Sequence, residues 1–139
     1  QYANVMAKKV GITNVRFKAI DMNSMDFPYK SFDVIIDTQS IVYAKIPSKV
    51  IKAIRDLIRS DGTFISIPAI GEHDLIEKYL DEIRQAGFII NRFEYLTFEN
   101  LGVAEAYPLI VADLHSKPIE LNVVKKHKNI KSIIKNLGN

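Results

Sequence analysis

Along this chain the spacing of apolar residues switches between three or four and two, and each switch marks an element. Tyr2, Val5, Met6, Lys9 and Val10 recur at helical spacing, with Gly11 behind them where a left-handed cap stands, which predicts the last turns of a helix over residues 1–10. Val15, Phe17 and Ala19 alternate with Arg16 and Lys18, so a strand is expected up to Ile20; Asp21, Asn23, Ser24 and Asp26 then form a polar connection. Phe32-Asp33-Val34-Ile35-Ile36 is nearly all apolar and lies between Tyr29-Lys30-Ser31 and Asp37-Thr38-Gln39-Ser40. Such a run suits a strand buried on both faces of a parallel sheet.

Pro47 and Ser48 introduce a helix with Val50, Ile54, Leu57 and Ile58 on its apolar side, which Asp61-Gly62 is expected to end. Thr63–Ile67 reads as the next strand, stopped by Pro68. Asp74 and Glu77 have the spacing of a capping box, ahead of a helix lined by Leu75, Ile76, Tyr79, Leu80, Ile83 and Ala86 and closed by Gly87. Phe88–Thr97 and Tyr107–Leu114 are β-like, with no long helix between them, and predict an antiparallel pair at one edge of the sheet. A last helix is expected over Val123–Leu137. This order predicts an α/β fold formed as one domain over residues 1–139, with residues 115–139 a basic helical tail.

Composition narrows the chemistry. With 139 residues and 47% hydrophobic content there is material for a real core, and no apolar run is long enough to span a membrane. No signal peptide is recognisable, so a cytoplasmic location is the expectation. The absence of cysteine excludes disulfides and thiolate metal clusters. The net charge of +3 is uneven, since six lysines after residue 114 face one acid, Glu120, and residues 1–114 sum to −2. A solvated helix face explains those lysines better than a nucleic-acid surface does, and the aromatics Phe88, Phe93, Tyr95, Phe98 and Tyr107 fit edge-sheet packing rather than a base-stacking platform. His73, His115 and His127 lack ligand spacing, so no metal site is expected.

Several stretches resemble the class I S-adenosylmethionine-dependent methyltransferases. The resemblance is carried by Asn14-Val15-Arg16-Phe17, Ile20-Asp21-Met22 and Met25-Asp26-Phe27-Pro28-Tyr29-Lys30-Ser31-Phe32-Asp33-Val34-Ile35-Ile36, by the turn Ser60-Asp61-Gly62-Thr63, and by Ala86-Gly87-Phe88. It covers residues 1 to about 114 and implies a Rossmann-like methyltransferase sheet of strand order three, two, one, four, five, seven, six. Three departures stand out. Met22 replaces a smaller residue, and Asp26 replaces a proline. No Gly-x-Gly-x-Gly stretch or ribose-binding acid accompanies a first and second strand, so the amino-terminal strands one and two of the pattern are missing.

The resemblance implies methyl transfer from S-adenosylmethionine to an unidentified nucleophile, as part of a longer native chain; a non-catalytic methyltransferase-like scaffold is the alternative. Asp21 and Met22 match the positions that meet the adenine edge, and Asp37 the position near the methionine moiety. Asp37, Thr38 and Gln39 are the catalytic candidates, with Ser40 and Tyr43 as substrate-binding candidates. The partners implied are a small-molecule or protein methyl acceptor, and either a second copy of the chain or the missing amino-terminal half. Deleting two strands would leave the edge of the 32–36 strand open, and an open apolar edge invites association.

Overall fold

The computed structural model describes residues 2–97 and 106–115. Helix α1 (Tyr2–Lys9) opens the chain, and Gly11, at φ 77°, turns it out of the helix while the Ile12 N–H donates to the Ala7 carbonyl at 2.9 Å. A single 3₁₀ turn over Met22–Ser24 precedes strand β1 (Phe32–Thr38), and a second over Ile41–Tyr43 leads into helix α2 (Pro47–Leu57). Strand β2 (Ile58–Ile67), helix α3 (His73–Gln85) and strands β3 (Ile89–Thr97) and β4 (Ala106–Asp113) follow.

The four strands form one sheet of order β1-β2-β4-β3. β1 and β2 are parallel, and α2 makes the crossover between them; β4 runs antiparallel to both β2 and β3. The expected α/β class and the antiparallel edge pair are therefore present, in the order that strands four, five, seven and six take in the methyltransferase pattern. Among the described residues no strand lies against the other edge of β1.

Helices α2 and α3 lie on one face of this sheet. Ile51, Ile54, Ile76, Leu80 and Ile83 pack there against Phe64, Ile110 and Ala112, and the core collects on that side. The register explains which strand residues take part: Ile35, Phe64 and Ala112 stand side by side in one row, as do Asp37, Ser66 and Ile110 in the next. The alternate row, Ile36, Ile65 and Val111, belongs to the opposite face, where Val34 and Ile36 remain 43% and 62% exposed.

Four expectations change. Residues 15–20 form no ladder, and each of them is exposed. Their only anchor of this kind is Asn4, whose side-chain amide donates to the Phe17 carbonyl at 2.7 Å and accepts from the Phe17 N–H at 2.8 Å. A strand needs a neighbour to satisfy its N–H and C=O groups, and none is at hand. Secondly, α2 ends at Leu57, and β2 begins at Ile58, which is fully buried. Phe32 pairs with Ile58 but Val34 pairs with Thr63, so residues 59–62 bulge out of the ladder. Gly62 is required there, because a Cβ would stand 2.7 Å from both the Asp33 carbonyl oxygen and Ile58 Cγ1.

Thirdly, the N-cap of α3 is Glu72 with no side-chain hydrogen bond, and Asp74 lies inside the first turn, so the capping box does not form. Fourthly, the strand expected to end at Leu114 ends at Asp113. The Gly87 cap is present at φ 95°, with the Phe88 N–H reaching back to the Ile83 carbonyl. The helix expected over Val123–Leu137 lies outside the described residues. Among those described, no helix is long and apolar enough to cross a membrane.

Candidate functional site

The carboxyl ends of β1 and β2 carry a buried polar pair, Asp37 and Ser66. Asp37 is the sixth residue of β1 and only 5% exposed. Its Oδ1 accepts the Ser40 N–H at 3.1 Å, the Ile41 N–H at 3.1 Å and a short hydrogen bond from Ser40 Oγ, while its Oδ2 accepts from Ser66 Oγ at 3.1 Å. Burying a carboxylate is unfavourable unless donors replace the water it loses, and here four do. The same bonds fold the chain beyond β1. Gln39 is pulled into the left-handed region at φ 60°, and its N–H donates to the Ile67 carbonyl at 2.9 Å. A non-glycine residue held at positive φ carries about 1–3 kcal/mol of strain, which surrounding contacts must offset.

Ser66 extends this network to α3. Because its hydroxyl proton goes to Asp37, the Tyr79 phenol, 3.0 Å away, donates to Ser66 Oγ. Burial pushes the Tyr79 phenol well above its usual range, and the charges of Asp37 and Glu82 push in the same direction against the Ser66 hydrogen bond. Three elements, β1, β2 and α3, are thus joined by one buried chain of side chains. Ser66 and Tyr79 were not among the sequence candidates. The available signal was a serine two residues after Phe64 on the core-facing row of an apolar strand, which calls for a buried partner.

Asp21 lies apart from this network. It caps the 3₁₀ turn at Met22, and its Oδ1 accepts from both the Asn23 N–H at 2.9 Å and Asn23 Nδ2 at 2.8 Å. The hydrogen bond from the Asn23 backbone, then that from its side chain, holds the carboxyl below the usual aspartate range. The group is fully exposed.

Two hollows flank the Asp37 segment. One, of about 410 Å³, is an apolar slot between the segment Ile20–Phe27 and β1, with Met22, Ile35, Asp37 and Ser40 among its lining residues. The other, of about 420 Å³, lies between the start of α2 and the first turns of α3, and Tyr43 and Tyr79 are in its walls. The structure therefore brings Met22, Asp37 and Ser40 together and separates Tyr43 from them. Asp21, Thr38 and Gln39 line neither hollow. Among the described residues no group of three or more metal-ligating side chains occurs.

A parallel strand pair joined by a helix, with an antiparallel pair beyond it, defines the Rossmann-like α/β class, in which ligands bind outside the carboxyl ends of the strands. Within that class, residues 1–136 match the family model described as a methyltransferase domain, and the chain belongs to that family.

Similar solved structures include the 4+2 cyclase SpnF, with TM-score 0.67 and 17% identity over 80% of this chain and 61% of that one. A geranyl diphosphate methyltransferase in complex with GPP and sinefungin gives TM-score 0.66 and 15% identity over 82% of this chain and 59% of that one. The Burkholderia thailandensis 1,6-didemethyltoxoflavin-N1-methyltransferase, with bound 1,6-didemethyltoxoflavin and S-adenosylhomocysteine, gives 0.63 and 18% over 79% of this chain and 55% of that one. At these identities the likeness is one of fold, and the chain spans between about half and two-thirds of the length of these three proteins. No curated protein matches the chain.

The family implies S-adenosylmethionine, and the residues present fit one side of it. The slot offers an apolar wall, and Asp21 beside it offers an acceptor for an adenine amino group. No Gly-x-Gly-x-Gly stretch is present to let backbone approach the rest of the molecule.

Proposed function

We propose that this chain acts in methyl transfer from S-adenosylmethionine to a nucleophilic acceptor, as the portion of a longer protein that carries the adenine edge and the acceptor side. The observation that supports this reading best is the slot itself: Met22, Asp37 and Ser40, singled out by their positions in the methyltransferase pattern, line one hollow that runs along β1 from Phe32 to Asp37. When bound, the cofactor would supply an activated methyl group on a sulfonium. Asp21 and the backbone of Met22 are assigned to the adenine edge.

Asp37 is assigned to holding the Thr38–Tyr43 segment, since its lone pairs already accept four hydrogen bonds. The exposed Thr38 and Gln39 are the polar groups offered to an acceptor, with Ser40 and Tyr43 on either side of the segment. A cytoplasmic site of action goes with this reading.

The cofactor would need a floor that this chain does not contain. S-adenosylhomocysteine titrated into the 139-residue chain alone is therefore expected to bind weakly or not at all; a submicromolar dissociation constant would overturn the division of labour proposed here.

The open edge of β1 belongs to the same reading. Among the described residues its outer side has no ladder partner, and the segment over residues 14–20 does not close onto it. We assign that edge to another chain, either the missing amino-terminal half or a second copy. Sedimentation at micromolar concentration with hydrogen exchange on Val34–Ile36 tests it. A strict monomer with those amides protected would refute it.

A second reading, a methyltransferase-like scaffold without transfer activity, draws on the 4+2 cyclase, whose name shows that this fold serves other chemistry. Methylation assays on a full-length parent separate the two.

A further inference from the structure

The buried chain from Asp37 to Tyr79 contains two hydroxyls that packing alone does not call for. Tyr79 lies on the apolar stripe of α3 with Ile76, Leu80 and Ile83, where a phenylalanine ring would fill the same space. Ser66 is fully buried and stands in register beside Asp37 of β1 and Ile110 of β4, where an alanine would fit. A hydroxyl taken out of water is costly unless it is partnered, and these two are partnered through each other and Asp37.

The direction of the bonds is fixed from one end. A carboxylate only accepts, so the bond of 3.1 Å to Asp37 Oδ2 uses the single proton of the Ser66 hydroxyl. Ser66 Oγ must then accept in turn, and the Tyr79 phenol at 3.0 Å supplies the proton. Burial pushes that phenol up, so it keeps its proton as a donor. Each bond polarises the next, and a fully satisfied buried network selects one arrangement.

At the far end of the chain the same carboxylate takes the Ser40 and Ile41 N–H groups on Oδ1. Between the strand and those donors Gln39 is held at φ 60°. The segment has a second anchor, the side chain of Ile41 in the core. Apolar burial has no direction, whereas hydrogen bonds to two successive N–H groups set the orientation of their peptides. The strained conformation at Gln39 therefore depends on the polar anchor.

We infer that Ser66 and Tyr79 are positioning residues: acting through Asp37, they hold Gln39 in its left-handed conformation and so fix how the exposed Thr38 and Gln39 are presented to an acceptor. α3 thereby governs the shape of a segment that lies beyond β1. The inference rests on the proposed function only for the purpose of that segment. Its test needs neither cofactor nor acceptor, so either reading can fail while the other stands.

The test compares Ser66→Ala and Tyr79→Phe with Ile83→Val, which thins the same core without touching a hydroxyl, by nuclear magnetic resonance on the full chain. The Cα and Cβ shifts of Gln39 report its φ in the folded protein and do not respond to a mere loss of stability. Hydrogen exchange of the Ser40 and Ile41 amides, set against the amides of the β2–β4 ladder, reports local opening. In Ser66→Ala the Gln39 shifts should leave left-handed values, and Ser40 and Ile41 should exchange about tenfold faster than the ladder amides change. Tyr79→Phe, which keeps the ring and so the packing, should act in the same direction by about threefold. Ile83→Val should speed all these amides alike and leave Gln39 unmoved. Unchanged Gln39 shifts in both hydroxyl variants, or exchange that rises equally everywhere, would overturn the inference and leave Ile41 as the anchor. An effect in Ser66→Ala with none in Tyr79→Phe would overturn the part given to Tyr79.

Discussion

Residues 15–20 and residues 63–67 have similar patterns, Val15-Arg16-Phe17-Lys18-Ala19-Ile20 and Thr63-Phe64-Ile65-Ser66-Ile67, yet only the second is a strand. The first stretch is exposed throughout and tied by the Asn4 side chain, while the second has β1 on one side and β4 on the other. Alternation prepares a segment to be a strand; backbone partners on its flanks make it one. The difference should therefore be measurable as stability, position by position.

The largest effect is expected at Phe64, which is fully buried and packs on Phe88 with ring centroids 5.4 Å apart. Phe64→Ala should lower stability by about 3–5 kcal/mol in denaturant unfolding, by lost burial and a residual cavity. A loss below 1 kcal/mol would show that this face of the sheet is loosely packed.

Asp37→Ala comes next. It removes the acceptor for Ser40, Ile41 and Ser66 together and leaves buried donors unsatisfied, so a loss of about 2–3 kcal/mol is expected. Rapid exchange of the Gln39 and Ile41 amides should accompany it, and unchanged exchange would show that the segment beyond β1 holds its shape without the carboxylate.

Gly62→Ala is expected to be smaller, roughly 1–3 kcal/mol, because the new methyl group meets the Asp33 carbonyl at 2.7 Å and the bulge must shift. A stabilised variant would mean that the bulge is easily remodelled. Phe17→Ala closes the series. A side chain that is 51% exposed and outside the core cluster should change stability by no more than about 0.5 kcal/mol in this chain alone. In a complex that supplies strands beside residues 15–20, the same substitution should become several times more costly, which makes it a sensor of sheet completion.

Much of the fold was legible because it is written in local patterns. The caps at Gly11 and Gly87 followed from glycine behind a helical stripe, and both carry the positive φ that the motif needs. The α/β order and the antiparallel edge pair followed from segment lengths and the absence of a long helix between Phe88 and Leu114. The junction at Ile58 was less legible. Its apolar side chain fits the stripe of α2 as well as the start of β2, and only the parallel pairing with Phe32 assigns it to the sheet.

The site divides the same way. Position in the family pattern drew attention to Asp21, Met22, Asp37 and Ser40, and sequence alone determined that this stretch would carry polar groups at the carboxyl end of an apolar strand. That Asp37 is buried beneath four donors, that Ser66 and Tyr79 join it from 29 residues away and beyond, and that Tyr43 turns into a different hollow were decided by tertiary structure. The reason is physical. Local spacing sets backbone propensity and which side of an element is apolar, whereas the partner of a buried polar group is fixed by which distant rows the sheet register and the helix packing bring side by side.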